Sequence, residues 1–181
     1  MIDLPEHLGG HAGQTHCDIG VIKYFIEHYN ITSMLDVGCG PGGQVLAAKD
    51  LGLHAIGIDG DFTLDRPGNF WCIHDYTQGP SPITESFDLV WSCEFVEHVY
   101  EQYMPNFFED FAKGTWLCMT YAPPGHGGYH HVNEQPEQYW IENIQQLGFE
   151  YQPEITKQIR TTSTQRKKFV KKRGLVFKKL N

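Results

Sequence analysis

Residues 34–43 place an acid immediately before a run of glycines, and this combination can bind a small charged ligand. They read Met34-Leu35-Asp36-Val37-Gly38-Cys39-Gly40-Pro41-Gly42-Gly43. The apolar run at 33–37 predicts a buried parallel strand, and Pro41 is typical of the first residue of a helix, which we place near Gly42. The glycines between them allow a sharp turn and a close approach of backbone to ligand. Together these features predict a nucleotide-binding corner.

The acid distinguishes two possible ligands. The spacing Gly38-x-Gly40-x-x-Gly43 fits a dinucleotide site, but the carboxylate of Asp36 would repel a pyrophosphate and attract a cation. The segment Asp36-x-Gly38-x-Gly40-x-Gly42 resembles the first motif of class I S-adenosylmethionine (SAM) methyltransferases. This resemblance implies SAM as the cofactor, and a nicotinamide-dependent reductase is the disfavoured alternative. It also implies cofactor contacts from Asp36, Gly38, Cys39, Gly40 and Gly42.

Two further acids end predicted strands, where the ligand-binding edge of a parallel sheet lies. The carboxylate of Asp59 offers two oxygens that can accept both ribose hydroxyls. The resemblance implies this role for Asp59, followed by Gly60, and it implies that Asp75 faces the adenine amino group. Tyr76 can then pack against the adenine ring. The alternative is that these acids cap loops or face water.

A second motif follows the predicted strand Phe87–Ser92. The segment from Cys93 to His98 contains Glu-x-x-Glu-His and resembles the post-strand segment of the same family. The resemblance places Cys93 and Glu94 near the methionine part of the cofactor. Glu97 and His98 begin the next predicted helix and can face the cleft, although a role in helix initiation or packing is an equal alternative.

The loop after the fifth predicted strand is rich in histidine. Three histidines within six residues suggest proton transfer, substrate binding or metal binding. Because we find no acidic or cysteine ligand within the segment 125–133, we predict no metal site. The predicted proton acceptors are His131 and His98. His16 and Asp18 of the N-terminal arm are less favoured candidates. The predicted substrate contacts are His126, His130 and Asn133, and a solvated loop is the alternative.

The methyl acceptor is predicted from a second resemblance. The segments 129–133 and 135–140 resemble small methyltransferases of glycan and secondary metabolism. This likeness implies a hydroxyl on a small molecule or sugar as acceptor. The alternatives are an RNA or protein methyltransferase that uses the basic C-terminal segment, and a non-catalytic SAM-binding regulator or partner subunit.

Charge is distributed unevenly along the 181 residues. Residues 1–156 hold all 22 acids and four basic residues, whereas residues 157–181 hold ten basic residues and no acid. The run Arg166–Arg173 could bind phosphates, with Phe169 as an apolar contact. The acidic body would repel nucleic acid. We therefore favour a solvated basic helix or turn and disfavour nucleic-acid binding.

The remaining composition indicates a cytoplasmic protein with no membrane segment or signal peptide. Five scattered cysteines without a Cys-x-x-Cys pair indicate a reducing compartment. The length fits one domain, 1–181, with an N-terminal arm at 1–17 and the basic segment 157–181 inside the fold. We expect a monomer or homodimer.

Apolar periodicity predicts the elements that position these residues. Predicted strands lie at 33–37, 54–59, 70–74, 87–92, 115–121, 149–155 and 174–179, and predicted helices at 18–29, 44–51, 99–113 and 136–147. Strands alternating with helices predict an α/β fold. The resemblance implies the Rossmann-like class I methyltransferase fold, a three-layer αβα arrangement around a mostly parallel seven-stranded sheet with an antiparallel last strand. The segments 61–66 and 80–85 are too short for full crossover helices.

Overall fold

A computed structural model of the chain describes residues 4–11 and 13–180. Its seven strands are β1 (Ser33–Val37), β2 (His54–Asp59), β3 (Trp71–Ile73), β4 (Phe87–Ser92), β5 (Gly114–Met119), β6 (Phe149–Tyr151) and β7 (Leu175–Lys179). Its α-helices are α1 (Ile19–Tyr29), α2 (Gly43–Asp50), α3 (Met104–Phe111), α4 (Glu137–Gln146), α5 (Pro153–Thr162) and α6 (Phe169–Arg173). Short 3₁₀ turns lie at Tyr76–Gln78, Val96–His98 and Glu101–Tyr103.

The strands form one sheet in the order β3-β2-β1-β4-β5-β7-β6. The pairs from β3 to β5 are parallel, and β7 runs antiparallel to both of its neighbours, with Leu117 opposite Phe177. This topology confirms the predicted mostly parallel sheet with an antiparallel last strand. It places the carboxyl ends of β1, β2 and β4 side by side at one edge.

Helices cover both faces of the sheet and complete the predicted three layers. One core packs α3 and α4 against the sheet through Phe107, Phe111 and Trp140. The other packs α1, α2, α5 and α6 through the residues Val21, Ile22, Phe25, Val45, Ala48, Ile159 and Val170. Strand residues alternate between the two cores, because successive side chains of a strand point to opposite faces. The fold is therefore α/β with buried, two-sided parallel strands.

Two predicted boundaries were wrong, and a proline explains each. Pro105 has no backbone N–H and fits only the first turn of a helix, so α3 begins at Met104 instead of Val99. Pro153 starts α5, so β6 ends at Tyr151 instead of Ile155. The helix predicted to start near Gly42 begins at Gly43, with Gly42 as its N-cap in a left-handed conformation, so Pro41 lies just before the helix and not at its first position.

The connections on either side of β3 are trimmed, as predicted. In the described part of the chain, no α-helix lies between β2 and β3, and a single 3₁₀ turn lies between β3 and β4. The same described residues contain no helix with the length and apolar character needed to cross a bilayer.

Asp18 belongs to the fold and not to the site. It is buried and caps α1, accepting the backbone N–H of Val21 at 3.2 Å and that of Thr164 at 2.9 Å. The hydroxyl of Ser163 donates to its second carboxylate oxygen. Its carboxylate is thereby occupied in joining α1 to the segment after α5, so the suggestion of Asp18 as an outside catalytic candidate is wrong.

Candidate active site

The glycine turn has the geometry that its sequence predicts. The backbone N–H groups of Gly38 and Cys39 both donate to the carbonyl of Ile58, at 2.9 and 3.0 Å. Gly38 has a φ of 76°, and a Cβ there would lie 2.3 Å from the ring of Phe95. Only glycine fits this position without displacing the ring. The turn therefore leaves a side-chain-free surface at the carboxyl end of β1.

A cavity of about 270 Å³ opens beside this turn. Its lining includes nearly all the predicted cofactor residues, namely Asp36, Gly38, Cys39, Gly40, Asp59, Gly60, Asp75, Tyr76 and Cys93. It also includes His16, His98, His130 and His131. Three predicted site residues, Gly42, His126 and Asn133, lie outside the lining. The structure thus joins the predicted cofactor end and the predicted acceptor end in one cleft.

The residues outside the lining have other surroundings. A Cβ on Gly42 would meet the indole of Trp71 at 2.3 Å, so this glycine makes room for packing. The side-chain amide of Asn133 is buried and donates to the sulfur of Met104 at 3.4 Å, away from the lining of the cavity. His126 is exposed on the loop and stacks 5.9 Å from His131.

Asp36 lies buried at the floor of the cleft. Burial, with the nearby charge of Asp59, raises the pKa of the Asp36 carboxyl to about 8. An acid in this position is stabilised in its ionised form when a cation approaches, and it disfavours an anionic pyrophosphate. The floor of the cleft therefore suits the positively charged end of SAM.

We expect binding of SAM to be linked to ionisation of Asp36. Below pH 8 the free carboxyl is largely protonated, so binding a cation must release its proton. Between pH 5.5 and 7 the affinity should rise by close to tenfold per pH unit, the limit for release of one proton. Calorimetry in buffers of different ionisation enthalpy measures this directly. Asp36→Asn should remove the slope, and a pH-independent affinity in the unmodified protein would contradict the linkage.

Asp59 is held in place by a buried arginine that the sequence did not identify. One carboxylate oxygen of Asp59 accepts the N–H of Gly40 at 2.8 Å, and the other lies 3.3 Å from the guanidinium of Arg66. Arg66 also donates to the carbonyls of Gly40 and Asp61. Arg66 is one of only four basic residues before residue 157. This rarity among many acids was the sequence signal that could have indicated an ion pair. The arginine fixes both the acid and the glycine turn.

The N-terminal arm lies over the cofactor end of the cleft. The Nε2 atom of His7 lies 2.9 Å from Asp75, and that of His11 lies 2.9 Å from Asp61. Leu8 approaches the backbone of Gly60 so closely that a Cβ there would meet it at 2.4 Å. The described part of the arm therefore covers the cleft, with His16 in its lining.

Tyr76 is buried beside Asp75, and its hydroxyl donates to Asp110. Its ring lines the cavity, which is compatible with packing against a flat base. Asp75 also accepts the backbone N–H of Thr77 at 2.9 Å, so it caps the following 3₁₀ turn. Asp75 therefore both caps this turn and lines the cavity.

The acceptor end of the cleft brings together groups that are distant in sequence. The backbone N–H groups of Val132 and Asn133 donate to the carbonyl of Glu97, at 2.9 and 3.1 Å, which ties the histidine loop to the turn at 96–98. The rings of His98 and His131 consequently meet edge to face, with centroids 4.9 Å apart. One donor atom from each of Glu97, His98 and His131 lies within 4.8 Å of the others.

Acids share the histidine cluster, contrary to the sequence expectation. The Nδ1 atom of His131 lies 3.0 Å from a carboxylate oxygen of Glu134, one residue beyond the segment 125–133. Glu97 arrives from the other side and is fully buried, and burial with the charge of Glu94 raises its pKa to about 8. Burial, with the charge of His131, lowers the pKa of His98 to about 4, so His98 is neutral.

Comparison with known proteins agrees with this site. Residues 35–113 match a family model described as a methyltransferase domain, and a search of curated proteins gave no match. The matched range contains the glycine turn, Asp59 and the Glu97–His98 motif. It favours SAM over a dinucleotide at the turn, so the reductase alternative is not retained.

Solved structures share the fold at low identity. Magnesium protoporphyrin IX methyltransferase from Synechocystis PCC 6803, solved with bound SAM, has a TM-score of 0.61 and 14% identity, covering 88% of this chain and 76% of that chain. A TehB-like SAM-dependent methyltransferase from Corynebacterium glutamicum gives 0.55 and 19%, covering 67% of each chain. The YcgJ protein from Bacillus subtilis gives 0.57 and 17%, covering 74% and 68%.

Proposed function

We propose that this chain, a class I SAM-dependent methyltransferase, transfers a methyl group to a hydroxyl of a small molecule or glycan. The observation that carries the proposal is the position of the cluster formed by Glu97, His98 and His131. Two of these side chains line the same cleft as the glycine turn. A hydroxyl must lose its proton to become a methyl acceptor, and imidazole and carboxylate groups are suited to assist that loss.

In this reaction the protein mainly aligns the acceptor with the cofactor and assists removal of the proton from the acceptor hydroxyl. The methyl group of SAM is carried on a sulfonium, which is already a good leaving group, so positioning of the acceptor gives most of the rate. The turn at 38–42, Asp36 and Asp59 would fix the cofactor. The arm residues His7 and His11 would exclude water above it, through the contacts that hold the arm closed.

The cluster can activate a hydroxyl in two ways. In the first, His131 accepts the proton: Glu134 accepts a hydrogen bond from Nδ1 of His131, so Nε2 carries the free lone pair. Burial lowers the pKa of His98 to about 4, so this imidazole is a weak base and is better suited to hydrogen-bonding the acceptor. In the second, the cluster would hold a cation that lowers the pKa of the hydroxyl directly.

Isotope transfer tests the class of acceptor. The protein is incubated with SAM carrying a ¹³C-labelled methyl group and an equimolar panel of polyols, glycosides, phenols, amines and thiols. The carbon chemical shift of each product distinguishes O-methyl from N-methyl and S-methyl groups. We expect O-methyl products, and transfer confined to amines or thiols would overturn the proposal.

A phosphate-bearing acceptor such as RNA is a second candidate, favoured by the position of the basic segment. Phe169 lines the cleft, and its ring lies 4.9 Å from that of His16. Arg166 lines a second, adjoining pocket with residues of the N-terminal arm. The basic run Arg166–Arg173 therefore reaches the cleft through Phe169 and the adjoining pocket through Arg166.

For this second candidate we expect RNA binding that depends steeply on salt. About four phosphate contacts to single-stranded RNA would weaken binding roughly 50-fold between 50 and 200 mM salt. Fluorescence anisotropy with a single-stranded oligonucleotide measures this dependence. Lys171→Gln should reduce the slope, and Lys157→Gln on the exposed face of α5 is the matched control. No binding at low salt would remove this candidate.

A cytoplasmic location and a monomeric or homodimeric state are further proposals. All five cysteines are free thiols, as a reducing compartment requires.

A further inference from the structure

We propose that Glu97, His98 and His131 bind a divalent transition-metal ion at the acceptor end of the cleft. One donor atom from each residue lies within 4.8 Å of the others. Two donors about 2.1 Å from one ion can be about 4 Å apart at most. A side-chain movement of less than about 1 Å therefore brings all three donors onto one ion.

Glu97 provides the first independent reason. It is fully buried, and within the described residues neither of its carboxylate oxygens has a hydrogen-bond partner. A buried carboxyl left without partners is costly and calls for an explanation. Arg173 forms no ion pair with Glu97 among the described side chains, and its Nε atom is itself buried without a partner there. A cation between Glu97 and the two histidines would satisfy these oxygens.

The second reason is the orientation of the imidazoles. Glu134 accepts a hydrogen bond from Nδ1 of His131 at 3.0 Å, which leaves Nε2 as the unprotonated nitrogen. Metal-binding histidines commonly donate their other N–H to a carboxylate in this manner. Nδ1 of His98 is buried and has no hydrogen-bond partner within residues 4–11 and 13–180. Glu134 is thus a positioning residue for His131.

The donor set indicates the class of ion. Two imidazoles and one carboxylate favour Mn²⁺, Co²⁺ or Zn²⁺ over Mg²⁺ and Ca²⁺, which prefer oxygen ligands. Three protein ligands leave coordination positions open for water or a substrate hydroxyl. His98 and His131 line the cleft, so the open positions would face the acceptor.

This site rests on the proposed function for its chemical role. A hydroxyl bound to the ion would have a lowered pKa and would lose its proton to water. Its oxygen would then form a bond to the methyl carbon while the carbon–sulfur bond breaks and leaves its electron pair on sulfur. No oxidation or reduction occurs. In this arrangement Nε2 of His131 binds the ion and does not accept the proton.

Metal titration of the full chain tests the site. Protein freed of metal by a chelator is titrated with Co²⁺, Mn²⁺ and Zn²⁺, using calorimetry and, for Co²⁺, visible absorption. We expect one ion per chain. Glu97→Gln and His131→Ala should each weaken binding by about 100-fold or more, and Glu134→Gln by roughly 10- to 100-fold. S-adenosylhomocysteine affinity of each variant reports whether the fold and the cofactor end are intact.

An exposed histidine–glutamate pair elsewhere provides the matched control. Nε2 of His54 lies 3.1 Å from Glu85, and His54→Ala should leave metal binding unchanged. Absence of stoichiometric binding in the unmodified protein, or binding insensitive to Glu97→Gln, would overturn the proposal. Hydroxyl methylation unaffected by chelator would keep the proposed function and overturn the role of the ion. Stoichiometric binding with transfer only to amines would keep the metal site and overturn the proposed function.

Discussion

Replacement of Asp59 by alanine should lower the affinity for S-adenosylhomocysteine by about two to three orders of magnitude. The carboxylate is expected to accept both ribose hydroxyls, and each hydrogen bond to a charged group contributes about 1.5–3 kcal/mol. Asp59 also accepts the N–H of Gly40, so its loss loosens the turn that carries the cofactor. Calorimetric titration of the variant and the unmodified protein gives the ratio directly.

The chain offers a matched control for this measurement. Asp65 lies on the same connection between β2 and β3 but is exposed, and Asp65→Ala changes the net charge by the same amount. Its affinity should stay within about twofold of the unmodified protein, as expected of a surface substitution. The variant Asp59→Asn should recover part of the loss, because it keeps the shape of the side chain. An unchanged affinity in Asp59→Ala would refute the ribose contact.

A complication of this variant is Arg66. Removing the acid leaves a buried guanidinium without its ion pair, which costs stability as well as affinity. The thermal unfolding midpoint of Asp59→Ala therefore has to be measured beside its affinity. A second variant, Arg66→Ala with Asp59 intact, separates the two effects: it should destabilise the turn while keeping the carboxylate for the ribose.

The sheet was predictable because the residues that mark the ends of its strands lie next to those strands in the sequence. Glycine after β1 and acids at the ends of β1 and β2 mark where strands stop, and alternation of buried strand residues follows from strand geometry. The errors came from treating apolar periodicity as sufficient. Pro105 and Pro153 each indicated the correct start of a helix, α3 and α5 respectively, because a residue without a backbone N–H fits the first turn of a helix.

The cofactor end of the site was predictable for a similar reason. Carboxyl ends of parallel strands share one edge, so Asp36 and Asp59 had to converge once the strands were assigned. The partners of these acids were not predictable, because they come from irregular segments. Arg66 lies on a connection without a helix, and His7 lies on the N-terminal arm.

The acceptor end depended on a loop whose path no periodicity specifies. The sequence indicated the histidines but assigned substrate contact to Asn133, which packs against Met104 instead. Glu97 and His131 are separated by more than thirty residues and meet because the carbonyl of Glu97 accepts two N–H groups of the loop. The nearby acid Glu134 was the missed local signal, since it lies three residues after the histidine it orients.

Replacement of His131 by alanine should separate catalysis from cofactor binding. As proton acceptor or as metal ligand, His131 acts on the methyl acceptor, and loss of such a group typically lowers turnover by about 10²- to 10⁴-fold. The affinity for S-adenosylhomocysteine should remain unchanged, because the contacts expected to hold the cofactor lie at the other end of the cleft. The initial rate of label transfer from SAM and a calorimetric titration test the two halves.

Two further variants make the result specific to His131. His54→Ala removes the histidine of an exposed histidine–glutamate pair with nearly the same N–O distance, and it should retain the normal rate. Glu134→Gln keeps His131 but weakens its orientation, so its rate should lie between those of the unmodified protein and His131→Ala. The pattern has a physical cause, since an imidazole that rotates freely presents its nitrogen to the acceptor for only part of the time. A normal rate in His131→Ala would remove His131 from the reaction, whereas a parallel loss of rate and cofactor affinity would assign it a structural role.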